Sequence, residues 1–217
     1  MWSMEKDPQT QEDKALSLLS ERGMARLSEF TKEGITATTL SRMARKGSVV
    51  QLRRGLYQLP DAPLDANHSL AEAAKLVPKG VICLDSALAF HELTDRIPRY
   101  VWVAIGFREW RPHITQPPIQ IVRFSPKVLN TGIKTHIIES VPVRIYSPAK
   151  TIADLFYHAH RQQRWYGSKT GLTHAIQGLK EALRVRKATA GEIARYATEA
   201  GIWKIVQPYL EALTVDA

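Results

Sequence analysis

The sequence predicts an α+β protein in two parts, and three observations carry that expectation. Between Gln11 and Pro60 the apolar residues come at helical spacing and then switch to strand spacing. A Pro/Asp-rich stretch, Pro60-Asp61-Ala62-Pro63-Leu64-Asp65, interrupts the pattern and reads as a linker. Beyond it, residues 66–217 mix strand and helix rhythms, and their last third is helical. The expected domains are therefore 11–60 and 66–217, with residues 1–10 polar and expected to fray. There is no internal repeat and no low-complexity run.

In the first part, Ala15, Leu18, Leu19 and Arg22 lie at i, i+3, i+4 and i+7, which predicts a helix over 11–22 closed by Gly23. Ser28 can cap a short helix running to Lys32, with Phe30 inward and Gly34 ending it. Thr36 can cap a third helix, 37–46, closed by Gly47. Leu40, Met43 and Ala44 form its buried side. Val49–Leu59 then holds two β-rich runs that meet at Arg53-Arg54-Gly55, a hairpin with a basic tip.

Three helices and a hairpin in so short a span describe a winged helix-turn-helix, in which the third helix enters the major groove and the hairpin touches the neighbouring backbone. Charge placement agrees. Between Thr36 and Gln58 the charged residues are Arg42, Arg45, Lys46, Arg53 and Arg54, all basic. Acidic residues crowd the first 35 positions instead, at Glu5, Asp7, Glu12, Asp13, Glu21, Glu29 and Glu33. Arg can bind guanine bidentately, and Thr can meet phosphate or a thymine methyl. The candidate DNA contacts are therefore Thr38, Thr39, Ser41, Arg42, Arg45, Lys46, Arg53 and Arg54, on double-stranded DNA. Five phosphate contacts predict a slope of log K against log salt of about −4 to −5. Alanine at Arg53 and Arg54 together is expected to weaken duplex binding with little change in melting temperature. The plain alternative is a small helical domain whose cations are only solvated surface.

Composition bounds the rest. The chain has 217 residues, Lys+Arg 30 against Asp+Glu 21, hence +9 at pH 7, with 44% hydrophobic residues. That is ordinary globular composition with a bias toward polyanionic partners. The single Cys, Cys83, rules out an internal disulfide framework and a Cys-rich zinc site. No signal-peptide core stands at the start, and the longest apolar run, about Tyr100–Phe107, falls far short of a bilayer span. A cytoplasmic protein without membrane contact is expected.

In the larger part, helices are expected over 69–77 and 86–93, the latter capped by Asp85. Strands are expected at Val81–Leu84, Tyr100–Ile105, Ile119–Phe124, Thr135–Glu139 and Val141–Tyr146, the last two as a hairpin. Ser147-Pro148 opens a helix striped by Ile152, Leu155, Phe156 and Ala159. Leu172, Ala175, Ile176, Leu179 and Leu183 stripe the next. Thr189-x-x-Glu192 is a capping box for a third, and Ile202 to Leu213 stripe a last one around Pro208.

Catalytic signatures are absent. Asp154 and His158 share a helix face, but His160 points about 200° away and a surface Asp–His pair is the simpler account. No Gly-x-Ser-x-Gly elbow surrounds Ser86, no Gly-rich phosphate loop is present, and Cys83 reads as an inert core thiol. No catalytic residue, metal or cofactor is expected. Trp102, Phe107 and Trp110 are candidates for base stacking or an interface; of these Trp102 reads as core, and Trp110, in the Arg108–His113 stretch, is the better surface candidate.

The order of motifs carries a likeness. Leu56-Tyr57 follow Arg53-Arg54-Gly55, then come Ser86-Ala87-Leu88-Ala89-Phe90-His91-Glu92-Leu93-Thr94, Pro98 with the 100–105 strand, and Val143–Leu155 containing Ser147-Pro148-Ala149-Lys150-Thr151. This order resembles the AbiEi-type antitoxins of the abortive-infection, type IV, toxin–antitoxin systems of bacteria, over about residues 11–165. The resemblance implies an amino-terminal winged helix that represses its own operon at inverted repeats. It also implies a carboxy-terminal antitoxin domain that counteracts a nucleotidyltransferase-like toxin without requiring a stable complex. Two other readings stay open. One is a nucleic-acid-processing enzyme targeted by the winged helix, with Asp85, His91, Asp154 and His158 as its site. The other is an interaction protein whose wing binds protein.

Overall fold

Thr10 opens the first helix, α1 (Gln11–Arg22): its hydroxyl accepts from the Asp13 backbone N–H, and the Asp13 carboxylate reaches back to the Thr10 N–H. That hydrogen bonding, led by the Thr10 hydroxyl, holds the Asp13 carboxyl below its ordinary range. The computed structural model describes residues 10–112, 114, 116–166 and 170–214; the polar stretch 1–9 lies outside the described residues. The chain divides into two compact units, residues 1–78 with 137–142, and residues 79–136 with 143–217.

In the first unit, Gly23 ends α1 and the chain enters β1 (Met24–Arg26), α2 (Leu27–Lys32), α3 (Ala37–Arg45), β2 (Val50–Arg53), β3 (Leu56–Gln58) and α4 (His68–Leu76). The α2 helix starts one residue before the expected Ser28 cap. The Glu29 carboxylate takes the Arg26 N–H at 2.8 Å, so the acid at the third helical position decides the start. Thr36 caps α3 through the Thr39 N–H, as its sequence position predicts. The sheet runs β1-β3-β2, antiparallel throughout, with Met24 opposite Gln58 and Val50 opposite the same residue. A strand between the first two helices, closed on a carboxy-terminal hairpin, is winged-helix topology. Ala15, Leu18, Leu19, Phe30, Ile35, Leu40, Met43, Val49 and Tyr57 are its core.

A five-stranded sheet of order β6-β5-β4-β8-β7 is formed by β4 (Val81–Ile82), β5 (Val101–Gly106), β6 (Ile119–Phe124), β7 (Ile133–Ile138) and β8 (Val141–Tyr146), and apart from residues 137, 138, 141 and 142 it belongs to the second unit. β5 runs antiparallel to β4 and parallel to β6, and β4 is parallel to β8. Helices α5 (Leu84–Phe90), α6 (Pro126–Leu129), α7 (Pro148–Tyr166), α8 (Thr170–Arg184), α9 (Ala190–Glu199) and α10 (Trp203–Thr214) complete it. The fold is α+β with a helical carboxy-terminal third. Its core gathers Leu84, Leu88, Phe124, Tyr146, Ile152, Phe156, Leu179, Ile193 and Val206, each large side chain contributing about 1.5–3 kcal/mol by burial.

Two local expectations change. The N-cap of α5 is Cys83, with Leu84 at φ 46° already helical, so Asp85 falls in the first turn and does not cap. Cys83 is buried, and burial pushes its thiol well up. Asp154 does not form a surface pair with His158. It is buried and bound to Lys150, one turn toward the amino terminus on the same helix face.

Candidate nucleic-acid interface

The α3 helix sorts its residues by face. Leu40 and Met43 are buried in the first unit's core, while Thr38, Ser41, Arg42, Arg45 and Lys46 are exposed. Their spacing of three and four places those five on one stripe. Thr39 lies on the inner side, only 7% exposed, and its hydroxyl donates to Gln11 Oε1 at 2.8 Å. It therefore anchors α3 to α1 and is not offered to solvent. On the flank of the stripe, Glu12 pairs with Arg42 at 3.1 Å and Lys46 at 3.4 Å. Both are exposed pairs, worth about 0–1 kcal/mol and readily exchanged for other anions.

The two arginines of the hairpin part company. Arg54 is exposed, at the turn where Gly55 adopts φ 75° and accepts the Leu27 N–H. Arg53 is half-exposed, with its side chain 3.6 Å from the Glu72 carboxylate of α4, whose own side chain is 4% exposed. Glu72 also stands 3.9 Å from His68. The sequence reading gave the two the same role because they are adjacent at a tip. Arg53 is the last residue of β2 and Arg54 lies in the turn beyond it, and a buried carboxylate 19 positions away pairs with the first. Arg53→Ala strands Glu72 with only the weak His68 contact and is expected to cost about 1–3 kcal/mol in denaturant unfolding. Arg54→Ala is expected to stay within about 0.5 kcal/mol. The double alanine variant will accordingly melt lower, contrary to the expectation from sequence.

Arg54 lines a cleft of about 610 Å³ together with Arg26, Ser28, Thr31, Lys32 and Leu76. None of its lining residues comes from α3. Arg26, Ser28 and Lys32 were missed in the sequence. The signal was present: an exposed hydroxyl-and-cation face on α2, opposite Phe30. The one nearby acid, Glu29, is satisfied by Lys75 at 3.0 Å and Arg22 at 3.3 Å. The cleft's lining is more apolar than polar, with Leu27 and Leu76 on its wall; Arg26, Lys32 and Arg54 with the hydroxyls of Ser28 and Thr31 are the groups in it that could meet phosphate oxygens.

Residues 13–60 match the family model of the transcriptional regulator AbiEi antitoxin. The matched segment runs from the first turn of α1 past the end of β3, so it contains the whole α3 stripe and the hairpin. AbiEi antitoxins of this family are transcriptional regulators. Among solved structures, the crystal structure of the RV2827C protein from Mycobacterium tuberculosis is similar, with TM-score 0.58 and 14% identity, over 96% of this chain and 78% of that one. Identity that low speaks for a shared fold and no further. No curated protein matches the chain in sequence.

The alternative catalytic set finds other employment. His91 Nε2 lies 2.7 Å from the Tyr146 carbonyl, and burial lowers its pKa. His158 packs edge-on against half-buried Trp102, and burial lowers its pKa too. Asp85 stands 3.0 Å from His174 Nδ1. Among the described residues, no group of three or more His, Cys, Asp or Glu could hold a metal ion. Nor is any described helix long and apolar enough to cross a membrane.

Proposed function

We propose that the chain is a cytoplasmic DNA-binding autorepressor and antitoxin of a type IV toxin–antitoxin system. Residues 11–60 form the DNA-binding domain and residues 66–217 the antitoxin domain, which counteracts a nucleotidyltransferase-like toxin. The observation that carries the reading is the exposed stripe Thr38, Ser41, Arg42, Arg45 and Lys46 on the third helix of a winged-helix topology, inside the segment that matches the AbiEi regulators. In this reading α3 enters the major groove of an inverted repeat in the chain's own promoter. Arg54, with Arg26 and Lys32, takes phosphates of the backbone. Arg53 is a positioning residue that holds the hairpin through Glu72. Thr39 is likewise internal.

The test is a gel shift on the chain's own promoter across a salt series. Phosphate contacts by Arg26, Lys32 and Arg54 predict a slope of log K against log salt of about −3. Alanine at Arg42 and Arg45 together is expected to weaken operator binding about 30-fold or more, at roughly 1–3 kcal/mol for each of the two lost base contacts, and to erase sequence preference. Alanine at Arg54 should weaken operator and random duplex alike and reduce the slope by about 1. Unchanged affinity of the α3 variant at matched salt removes the assignment. For the antitoxin half, co-expression of the full chain with a nucleotidyltransferase-like toxin encoded beside it should restore growth.

A further inference from the structure

Among the described residues of the second unit, the most exposed of the large aromatic side chains stands on a loop tied to the sheet at its start. After β5 ends at Gly106, the Glu109 N–H closes a turn on the Gly106 carbonyl at 3.2 Å. Arg123 of the neighbouring β6 donates to the carbonyls of Gly106 and Phe107. Lys79 pairs with Glu109 at 3.1 Å. The three hydrogen bonds to Gly106 and Phe107 hold the start of the loop, and the side chains of Phe107, Arg108, Trp110 and Arg111 face solvent. Phe107 is 56% exposed and Trp110 78% exposed, and Arg108 and Arg111 are exposed beside them. Glu109 is the one acid between Phe107 and Pro112, and Lys79 neutralises it. The two guanidiniums between and after the rings are therefore uncompensated by any acid within the loop.

Large rings left in water on a held loop mark a contact surface. The alternation of ring and guanidinium specifies what kind. A flat aromatic face stacks on a base, and the adjacent cations meet the phosphates that link one base to the next. Bases inside a duplex already stack on one another and present only their edges. We infer that the Phe107–Arg111 loop binds single-stranded nucleic acid, with Trp110 as the stacking platform and Arg108 and Arg111 on the backbone. This site is separate from the one proposed on α3 and does not depend on it.

Fluorescence anisotropy of end-labelled 12-nucleotide oligo(dT) and oligo(A) RNA, titrated with the full chain at several salt concentrations, tests it. Trp110→Ala is expected to weaken binding about 10-fold or more, and Trp110→Phe to retain most of it. Gln at Arg108 and Arg111 should flatten the salt slope by about 1.4. Because these side chains are exposed, all three variants should melt with the wild type. Alanine at Arg42 and Arg45 should leave single-strand binding intact, and Trp110→Ala should leave the operator gel shift intact, so the two sites fail separately. Equal affinity of wild type and Trp110→Ala overturns the assignment. So does displacement of the oligonucleotides by polyglutamate at matched charge concentration, which would give the loop to an acidic polypeptide.

Discussion

Lys150→Met is expected to lower the unfolding free energy by about 3–5 kcal/mol near pH 8, the usual cost of removing one partner from a buried ion pair. The Lys150 side chain is 3% exposed and that of Asp154 is 1% exposed, and the ammonium meets both carboxylate oxygens. Its other side lies 4.4 Å from the Tyr146 ring and 5.2 Å from that of Phe124. Tyr146 is itself wholly buried and ties its hydroxyl to the Leu129 carbonyl at 2.8 Å. Among the described residues, Lys150 is the donor seen on this carboxylate. The double variant Lys150→Met with Asp154→Leu removes both charges and should recover most of the loss, because the pair's own net worth is small after desolvation. A double variant as unstable as the single one would mean that the side chains matter for their shape and not their charge.

The same pair gives a pH signature. Burial pushes the Asp154 carboxyl up to about 6, with Lys150 pulling the other way. An unfolded Asp titrates near 3.9, so the native chain holds this proton more tightly than the unfolded one. Stability from this group is therefore greatest below about pH 4 and falls as the pH rises toward about 6. Without Lys150 the carboxyl rises further, and the fall continues to higher pH. The gap between wild type and Lys150→Met should be narrow near pH 5 and wide near pH 8. Denaturant unfolding at the two pH values measures it.

The sequence read best where the signal was local. Thr36 and Gly47 bracket α3, and Thr189 with Glu192 opens α9, because a cap needs partners only three or four residues away. It failed where the deciding partner was distant or the element too short. β1 has three residues, too few for any periodicity, and only pairing with β3 makes it a strand. α6 went unread although Ser125-Pro126 repeats the Ser147-Pro148 signal, since four residues leave no stripe. The polar face of α3 followed from period alone. That Glu12 flanks it and Glu72 pairs with Arg53 are contacts across 30 or more positions for the first and 19 for the second, with no trace in local pattern. Asp154 had a candidate partner one turn away in each direction, and burial, which sequence spacing does not report, chose Lys150 over His158.

Gly23→Ala is expected to destabilise the first unit by about 3 kcal/mol or more, and the comparison with Gly47→Ala shows why. Both glycines adopt positive φ, 67° and 77°, so any side chain at either costs about 1–2 kcal/mol in backbone strain. At Gly47 nothing lies within 4 Å of an added Cβ, and strain is the whole effect. At Gly23 the Cβ would fall 1.7 Å from the Glu139 carbonyl oxygen, a backbone atom. That oxygen has little room to retreat. The Glu139 side chain accepts the Asp65 N–H at 2.6 Å and meets His68 Nδ1 at 2.8 Å, so moving its backbone strains both contacts. Overpacking against a pinned neighbour adds about 1–3 kcal/mol to the strain. Gly23 also joins α1 to β1, and α1 carries Gln11 and Glu12, which set the position of α3. The Gly23 variant should therefore lose operator binding on warming well before Gly47→Ala does, while matching it in the cold where both are folded. Equal melting of the two variants would mean that the Glu139 turn yields, and that the close approach at Gly23 holds nothing in place.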